Sequence, residues 1–143
     1  MKILLDEDVS QALVRVLRDV VPHHVFKCVD ELRWKSKKDV ALFRDARSHG
    51  FDAIISCDRG QLTDPDHLKA LRASKMHHVL IKQYPKKPVE GVALQVADVL
   101  AAIHPLLADL TAAKEAQSVE IRQISSKDRY TVGPVKSLPY GGR

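Results

Sequence analysis

Short apolar runs alternate four times with helical apolar stripes along this chain, and that alternation constrains its fold more than any other feature. Residues 2–5 (Lys-Ile-Leu-Leu) form the first run, after which Val9, Ala12, Leu13, Val16, Leu17 and Val20 recur at the i, i+3, i+4 spacing of an amphipathic helix. Pro22 ends that helix, and residues 23–29 read as a second strand, rich in β-branched and aromatic side chains. A basic loop with Arg33, Lys35, Lys37 and Lys38 leads to a helix opening at Asp39, apolar at Val40, Phe43 and Ala46 and closed by Gly50. Residues 51–57 give a third strand. Asp64 and Pro65 open another helix with Asp66 in its first turn and Leu68 and Leu71 on one face. A fourth strand spans residues 78–81, and Lys86-Lys87-Pro88 lead into a long stripe from Val89 to Leu110, with a kink expected at Pro105. Strict alternation of this kind predicts right-handed crossovers and a three-layer α/β sandwich around a mainly parallel sheet of four or more strands. Residues 118–124 alternate again, and with 129–132 they suggest a short C-terminal β arm or hairpin, an added strand, or a strand pairing with another subunit.

At 143 residues the chain is expected to form one domain, and 45% hydrophobic with 29% charged residues excludes wholesale disorder and fibrous repeats. No uninterrupted apolar run approaches the roughly 18 residues a membrane span needs, and the opening reads as a buried strand rather than a signal peptide. Cys28 and Cys57 stand apart from any zinc spacing, which suits a reducing cytoplasm. Net charge is +5, of which +2 lies in residues 1–113 and +3 in residues 114–143. We therefore expect an α/β body over 1–113 and a basic extension over 114–143.

In an open α/β sheet, ligands bind beyond the carboxyl ends of the strands, where strand order reverses. Asp6, Glu7 and Asp8 follow the first strand, Asp39 follows the loop after the second, and Asp58 follows the third, so all fall on one edge. Clustered carboxylates repel unless a cation separates them, and Mg²⁺ or Mn²⁺ suits oxygen ligands. Asp39, Asp64 and Asp66 also fit plain helix-capping roles. Asp6 and Asp58 do not, because two parallel strands ending in Asp on one edge has no capping rationale.

MKILLDED at residues 1–8 resembles the opening of compact PIN-like proteins, where a strand runs into Asp-Glu-Asn. Residues 32–46 are similar to their segment in which an Asp opens a helix, and IISCDR at 54–59 is similar to their third motif, an apolar strand ending in Asp-basic-Asp. The resemblance covers residues 1–84 and implies a PIN-like fold and toxin-type (VapC-like) endoribonuclease activity with Mg²⁺ or Mn²⁺. It assigns catalytic and metal roles to Asp6, Asp39 and Asp58, and it implies an antitoxin partner and a homodimer; the cytoplasmic setting and the expectation of no membrane association come from the cysteines and the apolar pattern instead. Two residues depart from the pattern. Asp8 stands where Asn is common, preserving or adding a metal ligand, and Gly60 replaces the second acid of the third motif unless Asp64 or Asp66 reaches in. Around this site, Arg59, Lys35, Lys37 and Lys38 are candidate RNA-backbone contacts, or else a solvated basic surface. Trp34 is a base-stacking candidate or a half-buried anchor. His23-His24 and His77-His78 are expected at the opposite, amino edge.

Two rivals complete the reading. A PIN-like protein that has lost an acid would bind RNA or a protein partner without cleaving. A phosphoacceptor receiver also begins with a strand and an acidic pair, but it needs two more strand units after its Asp, ending in Ser or Thr and in Lys, and only one fits before Lys87.

Overall fold

The computed structural model describes residues 1–85, 89–124, 130 and 132–135. Its elements are β1 (Lys2–Leu5), α1 (Gln11–Val20), β2 (Val25–Cys28), α2 (Asp39–Ser48), β3 (Ala53–Ser56), α3 (Gly60–Thr63), α4 (Pro65–Ser74), β4 (His77–Leu80), α5 (Val89–Ala112) and β5 (Ser118–Glu120). The strands form one all-parallel sheet in the order β2-β1-β3-β4-β5. Each sequence-predicted strand is present, β1 over the expected residues, β2 and β3 in shorter form and β4 one residue earlier, and the one-turn α3 is an element the apolar pattern does not announce.

Period two sends alternate strand residues to opposite faces, so the run Ile3-Leu4-Leu5 supplies two cores. Ile3 and Leu5 join Phe26, Cys28, Ile55 and Val79 beneath α1 and α5, packing against Leu13, Leu17, Val99, Ile103 and Leu107. Leu4 and Ile54 face the other way, onto Leu42, Phe43 and Ala46 of α2, Leu71 of α4, and Phe51 and Met76. Helices thus cover both faces, giving an α/β/α arrangement. Among the described residues, α5 is long and apolar enough to cross a bilayer by length and composition. In the fold its stripe packs on the sheet.

Local signals account for the helix ends. Ser10 caps α1 by accepting the Ala12 N–H, Asp64 caps α4 by accepting from Asp66 and His67, and Pro65 takes the first helical position. Gly50, with φ of +81°, supplies the left-handed turn after α2. Arg33 and Ser36 in the basic loop also hold positive φ, which is unusual for residues with a Cβ.

Of the readings of the C-terminal arm, the structure shows the added strand. Residues 118–120 form a fifth parallel strand on β4, reached by the α5 crossover, and Ile121 is buried in the α1/α5 core. The expected second arm, 129–132, lies largely outside the described residues. The extra strand also removes the spacing objection to a receiver-like sheet, since β4 and β5 are two units beyond Asp58. Chemistry still argues against that rival, because β4 is followed by Ile81 and Lys82 rather than Ser or Thr, and β5 by Ile121 and Arg122 rather than Lys.

Phe43 is fully buried and seats the helix that begins with Asp39, whereas Val40 on the same helix is exposed. Chemical denaturation is expected to show a loss of about 3–5 kcal/mol for Phe43→Ala and within about 0.5 kcal/mol of no change for Val40→Ala.

Candidate functional site

β1 and β3 are neighbours that lead the chain to opposite sides of the sheet, so the strand order reverses between them. That switch point is where an open α/β sheet forms its crevice. Asp6 leaves β1 there and Asp58 lies two residues past β3. Asp6 is buried, and its backbone N–H extends the ladder to Ile55 O at 2.9 Å. Its carboxylate is held on both oxygens: Oδ1 accepts the Glu7 N–H at 2.8 Å, while Oδ2 accepts from Ser56 Oγ at 3.0 Å and from Gln61 Nε2 at 2.8 Å. Ser56 Oγ in turn accepts the Asp58 N–H at 3.0 Å. Asp58 is exposed, and its Oδ1 accepts the Gly60 N–H at 2.8 Å, which starts the one-turn α3.

That turn delivers Gln61, which is fully buried, to the centre of the site. Its two amide protons go to Asp6 Oδ2 and, at 3.0 Å, to Asp39 Oδ1. His78 Nε2 lies 3.0 Å from Gln61 Oε1 and must carry the proton to donate there. One amide therefore joins the ends of β1 and β3, the start of α2, and β4. Burial pushes His78 down to about 4, keeping the ring neutral at pH 7 with Nδ1 buried and without a hydrogen-bond partner among the described residues. Asp39 Oδ2 meets His67 Nδ1 of α4 at 3.3 Å. Asp39 is the first helical residue of α2, where an acid suits the helix dipole, but Lys38 holds the cap position.

Asp8 completes the group. Its Oδ1 accepts the Cys57 N–H at 3.2 Å, and its pKa is raised to about 6 by burial, with the charges of Asp6 and Asp58 adding to the rise. Burial also raises Asp39, against the lowering hydrogen bond from Gln61 and with the Asp6 charge adding to the rise. Four aspartates thus feel one another, and among the described residues no Lys or Arg is paired with any of them. Among the described residues, no three His, Cys, Asp or Glu side chains are placed to hold one ion unaided. The donor set is hard oxygen, and Mg²⁺ commonly takes one or two carboxylates and completes its shell with water and substrate phosphate. Asp8 and Asp58, with Asp6 beside them, fit that pattern.

The remaining candidates divide. Asp64 caps α4 through Oδ1 and Asp66 is exposed, and among the described residues neither shares a hydrogen bond with Asp6, Asp8, Asp39 or Asp58. A Cβ at Gly60 would stand 2.9 Å from Asp58 Oδ1, so a side chain there would crowd the turn that Asp58 makes. Lys35 and Lys38 are exposed; Lys37 is paired with Asp45 at 2.6 Å, and Arg59 with Glu120 at 2.9 Å. Trp34 stands edge-on to His49 and Phe51 as a partly buried anchor. His24 lies against the Met1 amino group and His77 accepts the Gln117 N–H, both away from the acids, but His78 belongs to the site through Gln61.

Sequence reasoning misses Ser56, Gln61, His67 and His78. Two had a signal: His78, in register with Ile54, and Ser56, two residues beyond Ile54, are polar residues inside apolar strand runs that share one face, where a buried polar group demands a partner. Neither family models, nor curated proteins, nor solved structures give a match to this chain.

Gln61→Leu deletes all three hydrogen bonds of the hub, leaving Asp6 Oδ2 with Ser56 Oγ and the buried His78 Nε2 without its acceptor; urea unfolding is expected to show a loss of about 2–4 kcal/mol. Asp8→Asn keeps the acceptor for Cys57 and removes a charge. An acid whose pKa rises on folding carries a penalty that is absent below its unfolded value of 3.8 and complete above about 6. Calorimetry is therefore expected to show the Asp8→Asn midpoint raised by roughly 2–5 °C at pH 7.5 and unchanged at pH 3.5.

Proposed function

We propose that this chain is a PIN-like, Mg²⁺- or Mn²⁺-dependent endoribonuclease of the toxin type. The observation that carries the reading is the gathering of Asp6, Asp8, Asp39 and Asp58 at the β1/β3 switch point without a neutralising Lys or Arg among the described residues. Repulsion of that kind persists in a fold when a cation relieves it during function. Asp8 and Asp58 would hold the ion through their carboxylates, with Asp6 alongside. A bound divalent ion supplies charge neutralisation at a scissile phosphate and an acidified water. The protein's own groups do the positioning. Gln61 and Ser56 fix the Asp6 carboxylate, and Gln61 also holds Asp39, so these acids are positioned before substrate arrives. Lys35 and Lys38 would contact RNA phosphates, and Arg59 would join them by releasing its exposed pairing with Glu120, which costs little. The same resemblance extends the proposal to an antitoxin partner and a homodimer, and the cysteine usage extends it to a cytoplasmic setting.

Gly60 favours a second reading. With the third-motif acid replaced, and crowded out by Asp58 Oδ1, the domain would bind RNA or a protein partner without cleaving. Purified protein incubated with a panel of RNAs in Mg²⁺, Mn²⁺ or EDTA decides between them. Cleavage is expected with either metal, abolished by EDTA, and slowed at least ~100-fold by Asp6→Asn or Asp58→Asn, equivalent to several kcal/mol. Cleavage that survives EDTA or both substitutions overturns the nuclease reading; tight RNA binding without cleavage selects the second.

A further inference from the structure

Beside the acids, on the far side of Asp8, lies a cleft of about 540 Å³. This volume lies in the range of small-molecule sites and is ample for a nucleoside. Its walls come from the β1–α1 turn, the segment after β2, and the β4–α5 connection. The back wall is built in advance. Gln95, itself buried, accepts the Ser10 N–H at 2.9 Å and so ties α5 to α1. The Tyr84 hydroxyl donates to the buried Asp98 at 2.7 Å, and Asp98 also accepts the Ile124 N–H at 2.7 Å. Gly91 admits the approach of the preceding chain, since a Cβ there would fall 2.2 Å from Pro85 O.

The lining chemistry selects an occupant. Among the described residues, Glu7, Asp8 and Asp30 line the cleft with one cation, Lys35, an acidic excess that disfavours phosphate. Val9 and Val92 supply apolar wall, and the side-chain amides of Gln11 and Gln83 lie at exposed positions on it. A flat, uncharged group with donors to offer satisfies all of these at once. The geometry points to this cleft as the subsite for a nucleobase bearing an exocyclic amino group, splayed from an RNA strand whose phosphate lies at the neighbouring acids. Carboxylates accept from such amino groups, as they do from cytosine N4, and unstacked bases are the usual targets of RNA recognition. Uracil has no amino group and is the base the subsite disfavours. The inference rests on the nuclease reading for the placement of the phosphate, while the cleft's preference among bases stands on its own lining.

Titration of adenosine, cytidine and uridine, with spermidine as the competing cation, into full-length protein by NMR or calorimetry tests it directly. Adenosine and cytidine are expected to bind with uridine about tenfold weaker, the difference of one charge-assisted hydrogen bond. Gln83→Ala, at an exposed position, is expected to weaken adenosine two- to tenfold. Val92→Phe, which fills the cleft, abolishes binding, and Arg72→Ala on the opposite side of the molecule changes nothing. No nucleoside binding, equal binding of uridine, or spermidine binding tighter than every nucleoside overturns the inference. If adenosine binds as expected but wild-type protein cleaves no RNA, the cleft assignment stands and the nuclease reading falls. Cleavage that is indifferent to base identity and unchanged in Val92→Phe has the opposite meaning.

Discussion

The side-chain amide of Gln61 is the constraint on which the carboxyl edge depends. An amide has one acceptor and two donor protons, and here each is committed to a different segment: the oxygen to His78, the protons to Asp6 and Asp39. Because the His78 ring is neutral and donates through Nε2, the amide has one orientation, with its protons toward the acids. A buried network of this kind is strong only when fully satisfied, and each member constrains the others. The sheet's interior thus reaches its ionic edge through a short polar chain rather than through packing alone.

Charge in this region works in opposing directions. A histidine whose pKa falls on folding contributes stability that is complete above 6.5 and lost as pH drops toward 4, which applies to His78. Asp8 runs the other way, losing its penalty as pH falls from about 6 toward 3.8. Acidification relieves the repulsion among the aspartates over the range in which it begins to charge the buried ring. The edge therefore has no pH at which both tensions vanish, and a divalent cation relieves the carboxylates without touching His78.

Much of the fold is legible in the sequence, because period-two and period-3.6 apolar patterns answer to two-sided burial. The short runs at Ile3–Leu5 and Ala53–Ser56 are continuous because helices cover both faces, and Asp64-Pro65 marks α4 because its chemistry is local. Asp6 and Asp58 are legible for a related reason: strand direction alone puts them on one edge. Gln61 is not legible. Its role depends on a four-residue helix too short to carry a pattern and on partners 17, 22 and 55 residues away in sequence. β5 is obscured by its three-residue length and its exposed, charged composition, which read equally as an arm. The histidine pair in β4 shows that an edge assignment by sequence position fails when the side chain spans most of the distance itself.

The parallel attachment of β5 has a consequence for synthesis of the chain. β4 presents His78 N–H and Leu80 C=O toward a neighbour that enters the sheet only after the whole of α5 has been made. Between Leu80 and Ser118 the ribosome adds some 38 residues, which at ordinary translation rates takes roughly 2–8 s. For that interval the nascent sheet carries an open strand edge, the feature through which partly made proteins associate wrongly. The 24 residues of α5 thus set a waiting time during translation, a period when four strands exist without the α5 share of one core and without the last strand.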